Sequence, residues 1–254
     1  MIGHNVVGRG PRHVLVLHGW LGDSEVFAPA LSSLDLDAFT YTFMDYRGYG
    51  RSLEQNGAYT LDEISRDAQA LVDHLGWGRF AILGHSMGGA AALRLAVDAP
   101  GRVTALIAAT PVPASGVPMP SEGQQLFGNA VRADEARQGI LNWTTGGRYT
   151  PAWARGSAAR LARFARPEAM GGYLDAWTKA NFAGEARGLS IPILVIVGEH
   201  DGGVTAEAMH ATYLADYPNA ILHVLPACGH YPMQEVPILF ASEVERFLDA
   251  HMPV

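Results

Sequence analysis

Six short runs rich in valine, isoleucine and leucine recur along the chain at 14–17, 41–44, 80–83, 103–109, 193–197 and 221–225. Runs this apolar, without polar alternation, read as strands buried on both faces. Most are separated by helical patterns. Ile64, Ala68, Leu71, Val72 and Leu75 share one helical face, and Thr60 with Glu63 makes a capping box ahead of it. Residues 90–97 read as a mostly apolar helix after the third run, and Phe240, Val244, Phe247 and Leu248 mark an amphipathic terminal helix. Strands alternating with helices predict an α/β fold with a mostly parallel central sheet covered by helices on both faces.

The alternation lapses between about 113 and 188. That stretch opens on a run rich in proline and glycine, holds no convincing strand, and contains Trp143, Trp153 and Trp177. It reads as a helical insertion, leaving residues 1–112 and 189–254 as the core. Charge follows the same division. The chain carries 18 Lys and Arg against 25 Asp and Glu, a formal charge of −7. Residues 1–112 have a balance of −3, residues 113–188 of +3 and residues 189–254 of −7.

The segment that points to chemistry is Gly84-His85-Ser86-Met87-Gly88-Gly89, between the third apolar run and its helix. Composition alone yields roughly 0.14 chance matches to G-x-S-x-G in a chain like this, so the context carries the weight. A sharp strand-to-helix turn needs small neighbours, strains the serine backbone and lifts its hydroxyl at the strand's carboxyl end. The helix start also offers free N–H groups to developing negative charge.

A serine hydroxyl is a weak nucleophile and needs a base, which needs an orienting acid. His230 follows the last apolar run in Pro226-Ala227-Cys228-Gly229-His230, and Asp201 follows the one before it, with Glu199 as a local rival. Both lie just past strand carboxyl ends, the edge where open α/β sheets place their ligands. His85 adjoins the serine but faces the wrong way to take its proton. His18-Gly19-Trp20, after the first run, is placed to supply a second oxyanion amide beside that of Met87, from Trp20 or alternatively Leu21. The segment 45–52 reads as scaffold whose charges brace neighbouring loops.

Composition narrows the rest. With 48% hydrophobic residues the chain can bury a large core. Its acidic balance gives no basic excess for nucleic acid. One cysteine, Cys228, excludes an intramolecular disulfide. No apolar run reaches the roughly 18 residues of a membrane span, and residues 1–12 lack the apolar centre of a signal peptide, so a cytoplasmic protein is expected. No metal-ligand cluster, phosphate loop or dinucleotide fingerprint is present, so neither metal nor cofactor is expected.

Together, His18 and Gly19, the 45–52 segment, the turn around Ser86, Asp201 and the Gly229-His230 pair resemble the α/β-hydrolase fold superfamily along essentially the whole chain. A short N-terminal segment leaves room for one strand at most where larger members have a hairpin. The resemblance implies that 113–188 forms a cap over the active site. A serine at the turn separates the chain from the haloalkane dehalogenases and epoxide hydrolases of this fold, which use aspartate. What remains is similar to serine esterases, lipases and lactonases, to carbon-carbon bond hydrolases, and to cofactor-free haloperoxidase or perhydrolase relatives. The expectation is a serine esterase cleaving a small-molecule ester by a Ser86-His230-Asp201 triad and an acyl-enzyme, with a ligand receptor keeping the triad as the other class. Trp143, Tyr149, Trp153, Trp177, Phe182 and Tyr231 are expected to contact substrate. Arg155, Arg160, Arg163 and Arg166 give the insertion its positive sign and keep anionic esters open as substrates. Oligomeric state is left open.

Overall fold

The computed structural model describes residues 1–252. A seven-stranded sheet has the order β1-β3-β2-β4-β5-β6-β7. Its strands are β1 His4–Gly8, β2 Arg12–Leu17, β3 Phe39–Met44, β4 Phe80–His85, β5 Val103–Ala109, β6 Ile193–Gly198 and β7 Ala220–Leu225. Within this sheet β1 with β3 is antiparallel and the five other pairings are parallel. One strand, β1, precedes β2 and pairs with β3 at the sheet edge.

Period-2 alternation assigns the two faces. Leu15 and Leu17 of β2 pack with α1 (Leu61–His74) and α2 (Met87–Asp98) in one core cluster. Val14 and Val16 turn to the other face, against Phe27 and the long C-terminal helix. The cap of α1 differs slightly from a standard capping box. Glu63 N donates to Thr60 Oγ1 at 3.2 Å, but the Glu63 carboxylate accepts from the amides of Ala58 and Tyr59. Such a cap contributes on the order of 1 kcal/mol.

One strand departs from the expectation of full burial. β7 forms the sheet edge, and Ile221 and Val224 are exposed. With no strand beyond it, an edge has nothing to cover its outer residues. His223 lies there too, its Nδ1 donating to Glu243 at 2.7 Å.

Between β5 and β6 the chain is helical: α3 Ser121–Ala130, α4 Asp134–Thr144, α5 Pro151–Phe164, α6 Pro167–Thr178 and the short α7 Ala183–Ala186. Polar ties join this stretch to the rest of the fold at several points. Trp20 Nε1 donates to Met170 O at 2.8 Å, Arg166 N donates to Gly48 O at 2.9 Å, and Tyr49 bridges to Ala165. After β6 come α8 Ala206–Ala211 and α9 Tyr213–Asp216, and after β7 α10 Pro232–Glu235 and α11 Pro237–His251. Among the described residues no helix is long and apolar enough to cross a membrane.

The strand order places the site. From β2 the chain moves outward to β3, then crosses back to β4 on the other side, so connections leave β2 and β4 in opposite directions. A crevice opens at the carboxyl ends of such a pair. His18-Gly19-Trp20 runs on from β2, and Ser86 from β4.

Candidate active site

Ser86 sits between β4 and α2 with φ 55° and ψ −118°, outside the regions a side chain prefers. Strain of this kind costs about 1–3 kcal/mol and persists only where neighbours over-determine it. Here three backbone bonds do so: Ser86 N to Ala109 O at 2.9 Å, Gly89 N to Ser86 O at 2.8 Å, and Val112 N to Ser86 O at 3.0 Å. The flanking glycines are required by close approach. A Cβ on Gly84 would collide with the backbone of Gly88, and one on Gly88 with the carbonyl of Leu17.

Asp201 and His230 come together from the loops after β6 and β7. His230 Nδ1 donates to Asp201 Oδ2 at 2.6 Å, with both residues buried. The other carboxylate oxygen accepts from the amides of Gly203 and Val204 at 2.8 and 3.0 Å. Such an arrangement orients the imidazole and leaves Nε2 free to exchange a proton. Glu199, the rival acid, turns elsewhere and accepts from Ala227 N. His85 is engaged elsewhere: its Nε2 donates to the carbonyl of His230 at 2.8 Å. Burial, helped by the neighbouring His230, pushes His85 well below the usual histidine range, so it stays neutral.

The loop after β2 is held from below by the 45–52 segment. Tyr46 OH donates to His18 O at 2.8 Å and Tyr49 OH to Trp20 O at 3.1 Å. Tyr46 N donates to His18 Nε2 at 3.4 Å, so Nδ1 carries the proton and donates to Gly19 O at 2.8 Å. Burial lowers the pKa of His18, consistent with that neutral form. Carbonyls of all three loop residues are thereby tied down. Among the described residues the amides of Trp20, Leu21 and Met87 donate to no protein acceptor. The scaffold reading of 45–52 missed these two tyrosines. Its expected charge bracing is present as well, with buried Asp45 accepting from Ser24 N and Arg51 N.

Ser86 and His230 border one cavity of about 550 Å³, within the range of small-molecule sites. Trp20 and Leu21 line its sheet side, and α3, α4 and α6 supply Leu126, Phe127, Ile140 and Trp177. Buried Trp177 Nε1 has no acceptor among the described residues, leaving one donor in a mostly apolar wall.

Of the six side chains expected to contact substrate, Trp143, Trp177 and Tyr231 border this cavity and three do not. Tyr149 instead points its hydroxyl at Glu235, 3.1 Å away. Trp153 packs against Tyr149 and Tyr231 beside a separate pocket of only about 40 Å³. Phe182 lies against the Arg94 guanidinium, 5.1 Å from ring centre to Cζ. In each case another polar or aromatic partner on the core captures the ring.

The positive sign of the insertion does not reach the cavity either. Arg160 pairs with Asp23, Arg166 donates to Asn56 Oδ1 at 2.8 Å, and Arg155 and Arg163 are exposed. Among the described residues no lysine or arginine borders the cavity, and Glu122 is its one carboxylate.

A parallel sheet with one antiparallel edge, a strained serine at a strand-to-helix turn and a paired histidine and aspartate past later strands define an α/β hydrolase. The profile described as alpha/beta hydrolase fold matches residues 12–235, and the chain belongs to that family. It is 30% identical over 248 residues to a pimeloyl-[acyl-carrier protein] methyl ester esterase from Nitrosomonas europaea, covering 92% of this chain and 94% of that one. It is 27% identical over 264 residues to a 2-hydroxy-6-oxononadienedioate/2-hydroxy-6-oxononatrienedioate hydrolase from a Pseudomonas species, covering 96% and 90%. In fold it is similar to an esterase from Exiguobacterium antarcticum, with a TM-score of 0.85 at 20% identity over 98% of this chain and 95% of that one.

Proposed function

We propose that the protein is a serine hydrolase of carboxylic esters whose acyl group is uncharged and largely apolar. The observation that carries the reading is the short Asp201–His230 hydrogen bond at the wall of the same cavity that strained Ser86 borders. His230 Nε2 takes the proton of Ser86 Oγ as the oxygen bonds to the ester carbonyl carbon, and the carbonyl electron pair moves onto oxygen. The amides of Met87 and Trp20, with Leu21 the alternative to Trp20, receive that oxyanion. The tetrahedral species collapses, and His230 returns the proton to the departing alkoxide. Water then attacks the acyl-enzyme, passes a proton to His230, and the acid leaves as Ser86 recovers its hydrogen. Asp201 keeps the imidazole in the tautomer that permits both transfers.

In this reading the helices between β5 and β6 act as a cap. Charge selects among the reactions of the relatives. The Pseudomonas relative is named for a dioate, a substrate with two carboxylates. Among the described residues this cavity offers such a molecule no lysine or arginine and presents Glu122 instead. An uncharged ester, the group that the Nitrosomonas relative's name contains, suits these walls better. We therefore place anionic esters, open on charge balance alone, behind neutral ones.

The test is hydrolysis of p-nitrophenyl butyrate by the wild type and by Ser86→Ala, with intact-mass analysis after an organophosphate. One adduct, mapped to Ser86, and loss of turnover in the variant are expected. Equal rates, or an adduct on another residue, would overturn the assignment. A diketone panel run beside the esters separates carbon-carbon cleavage from ester cleavage.

A further inference from the structure

Glu235 is a buried acid beside the histidine loop for which the chemistry above has no use. Its side chain is 1% exposed. Gly229 N donates to its Oε2 at 2.7 Å and Tyr231 N to its Oε1 at 2.8 Å. The amide between them, His230 N, donates to Thr144 O at the end of α4, 3.0 Å away. Three successive amides around His230 are thus satisfied, two by one carboxylate and the third by the insertion.

The same carboxylate is gripped from the insertion. Arg148 Nη1 donates to Oε2 at 2.8 Å, and Tyr149 OH donates to the same oxygen at 3.1 Å. Arg148 Nη2 reaches Ala227 O at 2.5 Å, three residues before His230. Trp153 packs between Tyr149 and Tyr231 and extends the contact. A buried carboxylate is tolerated only when its lone pairs are satisfied, and here four donors from two parts of the fold do so.

We propose that Glu235 is a positioning residue that couples the helical insertion to His230. It holds the histidine loop through the amides of Gly229 and Tyr231 and is itself held by Arg148 and Tyr149. His230 is then in place for proton transfer while the insertion is seated, and drifts when the strap is cut. Proton transfer needs the imidazole nitrogen about 2.6–3.2 Å from the hydroxyl, and a misplacement of about 1 Å costs on the order of 100-fold. Tyr149 and Trp153, expected to wall the pocket, acquire a different use.

The proposal rests on His230 being the base, and the experiment separates the two. Glu235→Gln, Arg148→Met and Arg148→Lys are compared on p-nitrophenyl butyrate, with competent serines counted by organophosphate titration. An amide at 235 whose oxygen still accepts from Gly229 N, Arg148 and Tyr149 sets its own N–H groups against the amide of Tyr231 and carries no charge to pair with Arg148. Glu235→Gln is expected to lower kcat per titrated serine about 30-fold, with KM within about 3-fold of wild type. Arg148→Met is expected to cost about 10-fold in kcat, and Arg148→Lys to recover most of it, because an ammonium still neutralises the carboxylate. A merely structural role would lower the melting temperature and the titratable fraction while leaving kcat per serine unchanged, and that result overturns the proposal. So does an Arg148→Lys enzyme no better than Arg148→Met. If Glu235→Gln does not fold, the two Arg148 variants decide alone. Failure of the base assignment has its own signature: His230→Ala retaining wild-type turnover.

Discussion

Across the cavity, the strand ends of the sheet face the helices that follow β5, and the two sides are held by different forces. On the sheet side the backbone itself is pinned. Ser86 is fixed by three main-chain bonds, and the carbonyls of His18, Gly19 and Trp20 each have a donor. On the helix side the wall is made of side chains such as Leu126, Ile140 and Trp177, while polar ties of the insertion to the core such as Arg148 to Glu235 and Arg160 to Asp23 lie outside the cavity. Backbone pinning sets geometry to fractions of an ångström, as bond-making chemistry requires. Side-chain packing sets shape and polarity, which decide what is admitted. Changes on the first side, and in the Arg148–Glu235 strap that reaches the His230 loop, should therefore fall on kcat, and changes in the wall side chains on the choice of substrate.

The sharpest way to break this division is Ser86→Ala, expected to cut kcat on the order of 10⁶-fold. A variant of the serine that kept more than about a hundredth of the activity would show that the pinned turn is not where the bond is made. Asp201→Asn should follow at about 10⁴-fold in kcat, because the amide favours the wrong imidazole tautomer. A loss in KM alone would move Asp201 out of the proposed relay.

Legibility in the sequence divides along the same line. The strand runs, the turn at Ser86 and the loops bearing Asp201 and His230 were readable because each depends on neighbours within a few residues. Asp201 over Glu199 was decided by the reach of one side chain to His230, which chain order does not encode. Glu235, Tyr46 and Tyr49 carried no local signal, since their partners lie in other segments. The charge of the insertion misled for the same reason. A +3 balance describes a segment, whereas Arg160 and Arg166 are drawn to Asp23 and Asn56 on the core and away from the cavity.

On the helix side, Glu122→Lys tests whether the wall selects by charge. The wild type should prefer p-nitrophenyl butyrate to the p-nitrophenyl monoester of glutaric acid, whose free carboxylate meets Glu122. The variant should narrow that preference about 10-fold in kcat/KM, with kcat on the neutral ester within about 2-fold. An unchanged ratio would remove Glu122 from the wall that substrate meets. Because the position is exposed, folding should be unaffected.

The smallest effect concerns the neutral histidines behind the site. Burial lowers the pKa of both His18 and His85 in the folded chain. Below about pH 6.5 the unfolded chain takes up protons that the folded chain refuses, so stability is full above that value and declines as pH falls. The slope approaches about 1.4 kcal/mol per pH unit for each histidine. Glu245, whose carboxyl is raised chiefly by burial, works in the opposite sense at more acidic pH. Urea midpoints at pH 7.5 and pH 6 therefore give the cleaner comparison, and the lower midpoint is expected at pH 6. A midpoint that rises would contradict the neutral pair.

The most direct test of the account is to catch the acyl group on the enzyme. Rapid mixing with p-nitrophenyl butyrate, acid quench within the first turnover and peptide mass mapping should place a butyryl adduct on the Ser86 peptide. The release of p-nitrophenol should begin with a burst of no more than one equivalent per enzyme. Turnover without an adduct at Ser86, or with the acyl group carried elsewhere, would contradict the mechanism.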